Sequence, residues 1–542
     1  MESGPVKLKP RVVRTRGVDT QVHHEPPPGV VVGPPRGTYK DGTRTCLVVE
    51  GPSPDFHFGV HNNSGVNLMR GLVERVFYVN DKGYLAPPEV PKNFNRLMAQ
   101  VRTRLTKYVP LVSPISREQF LEGCRGDRRK YTRYELARLS LKETPLMAND
   151  ARIETFIKCE KINFSKKPDP APRVIQPRRP RFIMEMGRFI RPLEHRLYHH
   201  LGDVLYKHPC IAKGINAVET AALIKEKWDK FEHPVCIGMD ASRFDQHVSV
   251  PALKWTHDIY LRFFRGDPYL KWILKQLLEN KGKAECKESS IRYKVRGRRM
   301  SGDIDTALGN CLLMTSMTWA YCKSIGVKHH VMNNGDDIIV LMERRDVELF
   351  QSKVVQFFQS LGFKMEVEEP VYTFEQIEFC QTQPVWKGDR YVMMRKIDAV
   401  SKDQCCIIGV ENINLWLHAV GECGLSLTKG LPVYQEMYTW FERTGKKSGL
   451  KAHAAFASGM QYMARGLTSG REEISQSARI SFYRATGICP DAQEAIEEAF
   501  RSMGRVPDKA NETIQDVKTS CKLYNEVFSG DLPTWEESTE AE

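Results

Sequence analysis

Apolar and polar positions along this chain follow two rhythms, and each change of rhythm marks an element. Val66, Met69, Leu72, Val73 and Val76 recur at helical spacing and predict one amphipathic helix over 65–79. The same period runs through 92–140, interrupted near Pro110 and Pro114, and through 250–280. It returns at Val347, Phe350, Val354, Phe358 and Leu361, with Gly362 placed where a helix C-cap glycine belongs. Beyond 400 the pattern is mainly helical, over 411–441, 452–463 and 492–503. Short apolar or β-branched runs predict strands at 46–50, 173–176, 234–239 and, as an edge strand, 363–367. Pro168, Pro170 and Pro172 preclude a continuous helix before Arg173. The first forty residues, rich in Pro, Gly and Arg, read as an extended or weakly ordered arm.

Val331 and Met332, then Asn334-Gly335, then Ile338, Ile339 and Val340 predict a β-hairpin, because Asn-Gly tolerates the positive φ of a tight turn. Asp336 and Asp337 are thereby held at a turn. Adjacent acids have little reason to face one another unless a cation neutralises them, and hard divalent ions prefer oxygen ligands. The strand over 234–239 ends in another carboxylate, Asp240, followed by Ala241-Ser242-Arg243-Phe244-Asp245. Farther on, Ser301-Gly302-Asp303-Ile304-Asp305 forms a small-residue loop running into a helix, whose Thr306 and Asn310 share one face. A helix packed on a small antiparallel sheet centred on the hairpin makes the class α+β.

Charge narrows the partners. Lys plus Arg number 80 against 66 for Asp plus Glu, a net +14 that favours a polyanion through phosphate neutralisation and counterion release. Over 291–299, alternation sets Arg292, Lys294, Arg296 and Arg298 on one strand face, which reads as an RNA or nucleotide channel or as ordinary edge protection. The 14 cysteines show no Cys-x2-Cys spacing, which argues against structural zinc. No secretory signal opens the chain and no apolar stretch approaches the ~20 residues that span a bilayer, so a soluble, reduced protein is expected.

The set Asp240-x4-Asp245, Ser301-Gly302-x3-Thr306-x3-Asn310 and Gly335-Asp336-Asp337 resembles motifs A, B and C of viral RNA-dependent RNA polymerases. Asp-Ala-Ser-Arg-Phe-Asp-Gln-His and the surroundings of Arg173 are most similar to the replicases of the tombusvirus family of positive-strand plant RNA viruses. The likeness covers roughly 150–400. It implies a right-hand polymerase: an N-terminal arm connecting fingers and thumb (1–85), fingers (86–232), palm with motif A (233–249), a fingers insertion (250–299), palm with motifs B to E (300–400), a mainly helical thumb (401–530) and an acidic disordered tail (531–542).

The resemblance also implies roles. Asp240, Asp336 and Asp337 would hold two Mg²⁺ ions, with Mn²⁺ as a substitute, about 4 Å apart for phosphoryl transfer to a 3′-hydroxyl. Asp245 and Asn310, aided by Ser301 or Thr306, would read the ribose 2′-hydroxyl. Lys158, Lys161 and Arg173, in the motif F position, would escort the triphosphate, with Arg178, Arg179 and Arg181 on template RNA. Lys364, in the motif D position, would be a general acid, and Glu378-Phe379-Cys380-Gln381 resembles motif E. Expected partners are template and product RNA, nucleoside triphosphates and an upstream or auxiliary viral replication protein. That partner or segment would carry the chain to membrane-associated replication complexes in the host cytoplasm. The rivals are a reverse transcriptase and a basic RNA-binding scaffold without polymerase activity.

Overall fold

The computed structural model describes residues 9–50, 57–409, 412–447 and 459–514. The expected acidic tail over 531–542, Glu411 and residues 452–458 of the expected helices lie outside them. At the centre is a four-stranded antiparallel sheet in the order His329–Asn333, Asp337–Glu343, Pro234–Ala241, Met365–Val367. The inner strand Pro234–Ala241 is apolar without alternation because both of its faces are covered. Helix Thr306–Ile325 is buried almost all round, and helix Val347–Ser360 turns Val347, Phe350, Val354 and Phe358 to the core. Gly362, at φ +86°, takes the left-handed position after that helix, and Met365–Val367 is the sheet's edge.

A five-stranded sheet in the order Val30–Gly33, Ser290–Arg296, Glu279–Glu285, Ile153–Ile157, Val174–Ile175 lies beside it. Lys281-Gly282-Lys283, just past the predicted helical region 250–280, is strand, because Glu279–Glu285 pairs along its whole length with Ser290–Arg296. Gly282 gives room to the Tyr293 ring, which an added Cβ would meet at 2.1 Å. A third sheet, Cys405–Cys406, Thr45–Glu50, Arg11–Arg16, Glu512–Ile514, packs on the C-terminal helices through Val12, Leu47 and Val49 against Ile413, Trp416 and Leu417.

Residues 9–40 are therefore more ordered than their composition suggests. Arg11–Arg16 sits in one sheet and Val30–Gly33 in another, where partner strands satisfy their backbone groups. This stretch ties the C-terminal helices to the five-stranded sheet. The helical region after 411 divides into Ile413–Thr428 and Tyr434–Thr444, broken at Gly430 (φ +79°) and Pro432. Among the described residues no helix is long and apolar enough to cross a membrane.

Candidate active site

The hairpin turn is locked by one side chain. Asn333 Nδ2 donates to the carbonyls of Gly335 (2.9 Å) and Asp337 (3.0 Å), and its Oδ1 accepts the Gly335 N–H at 3.2 Å. Gly335 takes φ +99°, so the chain reverses within Asn334-Gly335-Asp336. Asp337 then falls directly opposite Asp240 in the antiparallel register, with Asp336 at the tip. Like charges in facing positions destabilise a sheet pair.

The electrostatics register that conflict. Burial pushes the Asp337 carboxyl up to about 7, aided by Asp240 and Asp336 and opposed by the Cys380 N–H, which donates to Asp337 Oδ2 at 2.8 Å. Asp240 is also raised, by burial first and then by Asp336 and Glu366. A cavity of about 490 Å³ opens on these groups. Asp240, Asp245, Asp336 and Asp337 share it with Arg75, Arg173, Arg243, Arg298 and Arg299. Glu368 and Glu378 also line it, so six carboxylates and five guanidinium groups share one space.

Asp245 sits on the short helix Phe244–His247, set up by Arg243 at φ +52°. Asn310 Nδ2 donates to Asp245 Oδ1 at 2.8 Å, and Asp245 O accepts the Arg299 N–H at 2.9 Å. Burial raises the Asp245 carboxyl to about 6, while Asn310 and Arg299 hold it down. The buried Asn310 Oδ1 accepts no hydrogen bond among the described residues. This acceptor pair, Asp245 backed by Asn310, is suited to a hydroxyl.

Of the residues expected at the site, Asp240, Asp336, Asp337, Arg173, Asp245, Ser301 and Arg298 meet in this cavity, with Asn310 behind Asp245. Thr306 does not line it: its hydroxyl donates to the carbonyls of Met300 (3.1 Å) and Asp303 (2.9 Å), tying the preceding loop to the start of its helix. Lys158 pairs with Glu160 at 3.1 Å, which also holds Arg173 at 3.3 Å. Lys161 donates to Lys402 O at 2.8 Å, lies over the Trp416 ring, and lines an adjoining cavity of about 410 Å³ that shares Arg75 and Arg173 with the first. The Lys364 ammonium lies 3.7 Å from Asp81, outside the cavity.

The readings of Arg178, Arg181 and Arg298 are corrected. Arg178 is buried, with Nε 2.6 Å from Asp303, Nη1 2.9 Å from Ala151 O and Nη2 2.6 Å from Asn280, so it has no face for RNA. Arg181 is spent on Asp150, Ser140 and the Thr144–Pro145 carbonyls. Arg179 stands half-buried at the start of helix Pro180–Leu201. Arg298 leaves the face it was expected to share with Arg292, Lys294 and Arg296. The strand ends at Arg296, and Gly297 and Arg298, both at φ +73°, turn the chain so that Arg298 Nε meets Val76 O at 2.9 Å.

Sequence reasoning missed Arg75 and Arg299. Arg75 arrives on the π turn Val73–Phe77 that follows helix Gly65–Leu72, with burial lowering it to about 10. Arg299 is buried, Nη1 2.6 Å from Asp305 Oδ2. Their only sequence signals were a cation on an otherwise amphipathic helix and the Arg-Arg pair before Met300-Ser301.

Among the described residues no three carboxylate, histidine or cysteine side chains converge to hold an ion unaided. Mg²⁺ takes one or two carboxylates and completes its shell with water and substrate phosphates, so Asp240 and Asp336 fit that demand. A pH effect follows from Asp337. Its folded value, about 7, lies above the ordinary 3.8, so between those values the native chain holds a proton that the unfolded chain has released. The metal-free protein should therefore lose stability as pH rises from about 4 through about 7, and Mg²⁺ should offset the loss at the upper end. Thermal melts at pH 5, 6 and 8 with EDTA or with Mg²⁺ check this; equal melting across the series would contradict it.

Fold and site define a class: an α+β protein whose central antiparallel sheet gathers carboxylates into a cavity that five arginines share. A sequence profile described as viral RNA dependent RNA polymerase matches residues 34–505, and the chain belongs to that family. It is 44% identical over 459 residues to the RNA-directed RNA polymerase of Groundnut rosette virus (strain MC1), covering 84% of this chain and 53% of the relative. It is 41% identical over 490 residues to that of Tobacco necrosis virus (strain A), covering 89% and 67%. With Melon necrotic spot virus the identity is 44% over 468 residues, covering 84% and 59%. The chain spans about half to two thirds of the length of these curated relatives.

Proposed function

We propose that this chain is the catalytic part of a viral replicase that adds ribonucleotides to the 3′-hydroxyl of a growing strand on an RNA template. The observation that carries this reading is the placement of Asp240, Asp337 and the Asp336 tip in one cavity with Arg173 and Asp245. Bound divalent ions, Mg²⁺ by preference, would activate the attacking hydroxyl and neutralise the leaving pyrophosphate. Asp240 and Asp336 would hold those ions, and Asp337, pinned by the Cys380 N–H, would set the charge behind them. Arg173 and Arg75, at the junction of the two cavities, bind the triphosphate, and Lys161 extends that basic path. Asp245 and Asn310 accept from the ribose 2′-hydroxyl, with Ser301 beside them.

The central sheet with its helices is the palm, the five-stranded sheet belongs to the fingers, and the C-terminal helices form the thumb. The stretch 11–33 is then the connection between fingers and thumb. An upstream segment or auxiliary viral protein brings the chain to membrane-associated replication complexes in the host cytoplasm. A polar 2′-hydroxyl reader disfavours a reverse transcriptase, which usually sets a bulky gate there.

Removing the reader should relax sugar choice more than it slows the reaction. Asp245→Ala is expected to lower the preference for ribo- over deoxyribonucleotide about 100-fold, because a site built to hydrogen-bond a hydroxyl loses that discrimination with its acceptor. Single-nucleotide incorporation of matched GTP and dGTP measures the ratio. An unchanged ratio would remove Asp245 from ribose recognition.

A further inference from the structure

We propose that the outward face of the five-stranded sheet binds a single strand of RNA just outside the catalytic cavity. The purpose of this face rests on the polymerase reading; its binding chemistry does not. In the antiparallel register Lys281 stands opposite Lys294, and Lys283 opposite Arg292. Directly opposed like charges destabilise a strand pair, and here two such pairs occur in succession. Charges that guard a sheet edge are ordinary, but this pair is interior, with Val30–Gly33 on one side and Ile153–Ile157 on the other. Lys283 has Glu154 at 3.9 Å. Glu279 stands opposite Arg296 in the same register, and among the described residues no carboxylate forms an ion pair with Lys281, Arg292 or Lys294. The relief the face lacks internally is what a polyanion supplies.

Geometry selects the polyanion. Cations at alternate strand positions are roughly 7 Å apart, a repeat that follows the phosphates of an extended strand. Phe156, 41% exposed, and Val31, 62% exposed, lie on the same face and offer apolar platforms for bases, which a duplex would keep stacked inside. At one end the face runs into a cavity of about 590 Å³ lined by Arg152, Lys254, Lys275, Lys281 and Arg296, with Glu279 as its single acid. Arg296 belongs to that cavity, and Arg298, two residues on, to the catalytic one. The turn at Gly297-Arg298 thus separates the outer cations from the reacting carboxylates.

The test is fluorescence anisotropy of the full chain with a labelled single-stranded RNA of about 30 nucleotides and one of about six, in EDTA without nucleotides. The variant K281A/R292A/K294A/R296A should bind the long strand at least about tenfold more weakly, with the log–log salt dependence shallower by about 3 for four phosphate contacts, and bind the short strand unchanged. The charge-preserving variant K281R/R292K/K294R should bind like the parent. The alanine variant should melt no lower than the parent, because opposed like charges are relieved; a merely structural face would melt lower. Unchanged affinity and slope for the long strand would overturn the inference. So would equal competition by polyglutamate, which would mark a general anion surface, or an equal loss for duplex RNA. Binding here needs no catalysis. A chain that loses RNA affinity in the variant yet never incorporates nucleotides refutes the polymerase reading alone, and a chain that polymerises with binding unchanged refutes this inference alone.

Discussion

Asp336→Asn should lower nucleotide incorporation by a thousandfold or more, a loss of about 4 kcal/mol in transition-state stabilisation, while RNA affinity stays close to that of the parent. Asp336 is at the tip of a turn fixed by Asn333 and carries no part of the strand ladder, so the amide fits the same space. What disappears is one of the two carboxylates that can hold a divalent ion over the cavity. A divalent ion held there would act on the reacting phosphates, so its loss should be felt in the rate and not in the grip on RNA. Quench-flow incorporation beside anisotropy with the same RNA separates the two. Activity within tenfold of the parent would contradict the assignment.

Arg178→Ala should cost about 3–5 kcal/mol of stability, as expected when one partner of a buried ion pair is removed. The guanidinium joins three pieces of chain: Asp303 in the loop before helix Thr306–Ile325, Asn280 in the five-stranded sheet, and Ala151 O. Its removal strands the Asp303 carboxylate, already raised by burial and held down chiefly by Arg178. Ser301 lies on that same loop, so activity should fall together with the denaturant midpoint. Arg178→Met combined with Asp303→Leu should recover much of the stability, because an apolar pair replaces a buried charged one. If Arg178→Ala instead left the midpoint unchanged and weakened only RNA binding, the original reading as an RNA contact would return.

These two residues also mark how far the sequence could be read. The hairpin was legible because Asn-Gly between apolar runs is a local signal, and the strand ending at Asp240 because an inner strand is continuously apolar. Helix Val347–Ser360 and its Gly362 cap were legible for the same local reason. Arg178 was misjudged because an arginine-rich stretch looks alike whether it faces RNA or its own carboxylates. Asp303 and Asn280 lie more than a hundred residues away in the chain. The one local hint was Pro180, which favours the first turn of a helix and so places the preceding arginines at its start. Arg298 left its strand face because of left-handed backbone at a non-glycine residue, which alternation does not foretell. The N-terminal strands escaped notice because their partners are remote, Val13 pairing with Glu512 in parallel. Composition described that segment correctly as proline- and glycine-rich, and tertiary pairing overrode it.

In the proposed function the carboxylates of Asp240 and Asp336, with Asp245 beside them, make a metal-dependent site for ribonucleotides. The most direct measurement is incorporation of labelled ribonucleotides and deoxyribonucleotides by the full chain on an RNA template, with Mg²⁺ and with EDTA. Template-complementary product is expected from ribonucleotides in Mg²⁺, little from deoxyribonucleotides, and none in EDTA. A folded chain that binds the template and incorporates neither nucleotide, or that prefers deoxyribonucleotides, would contradict it.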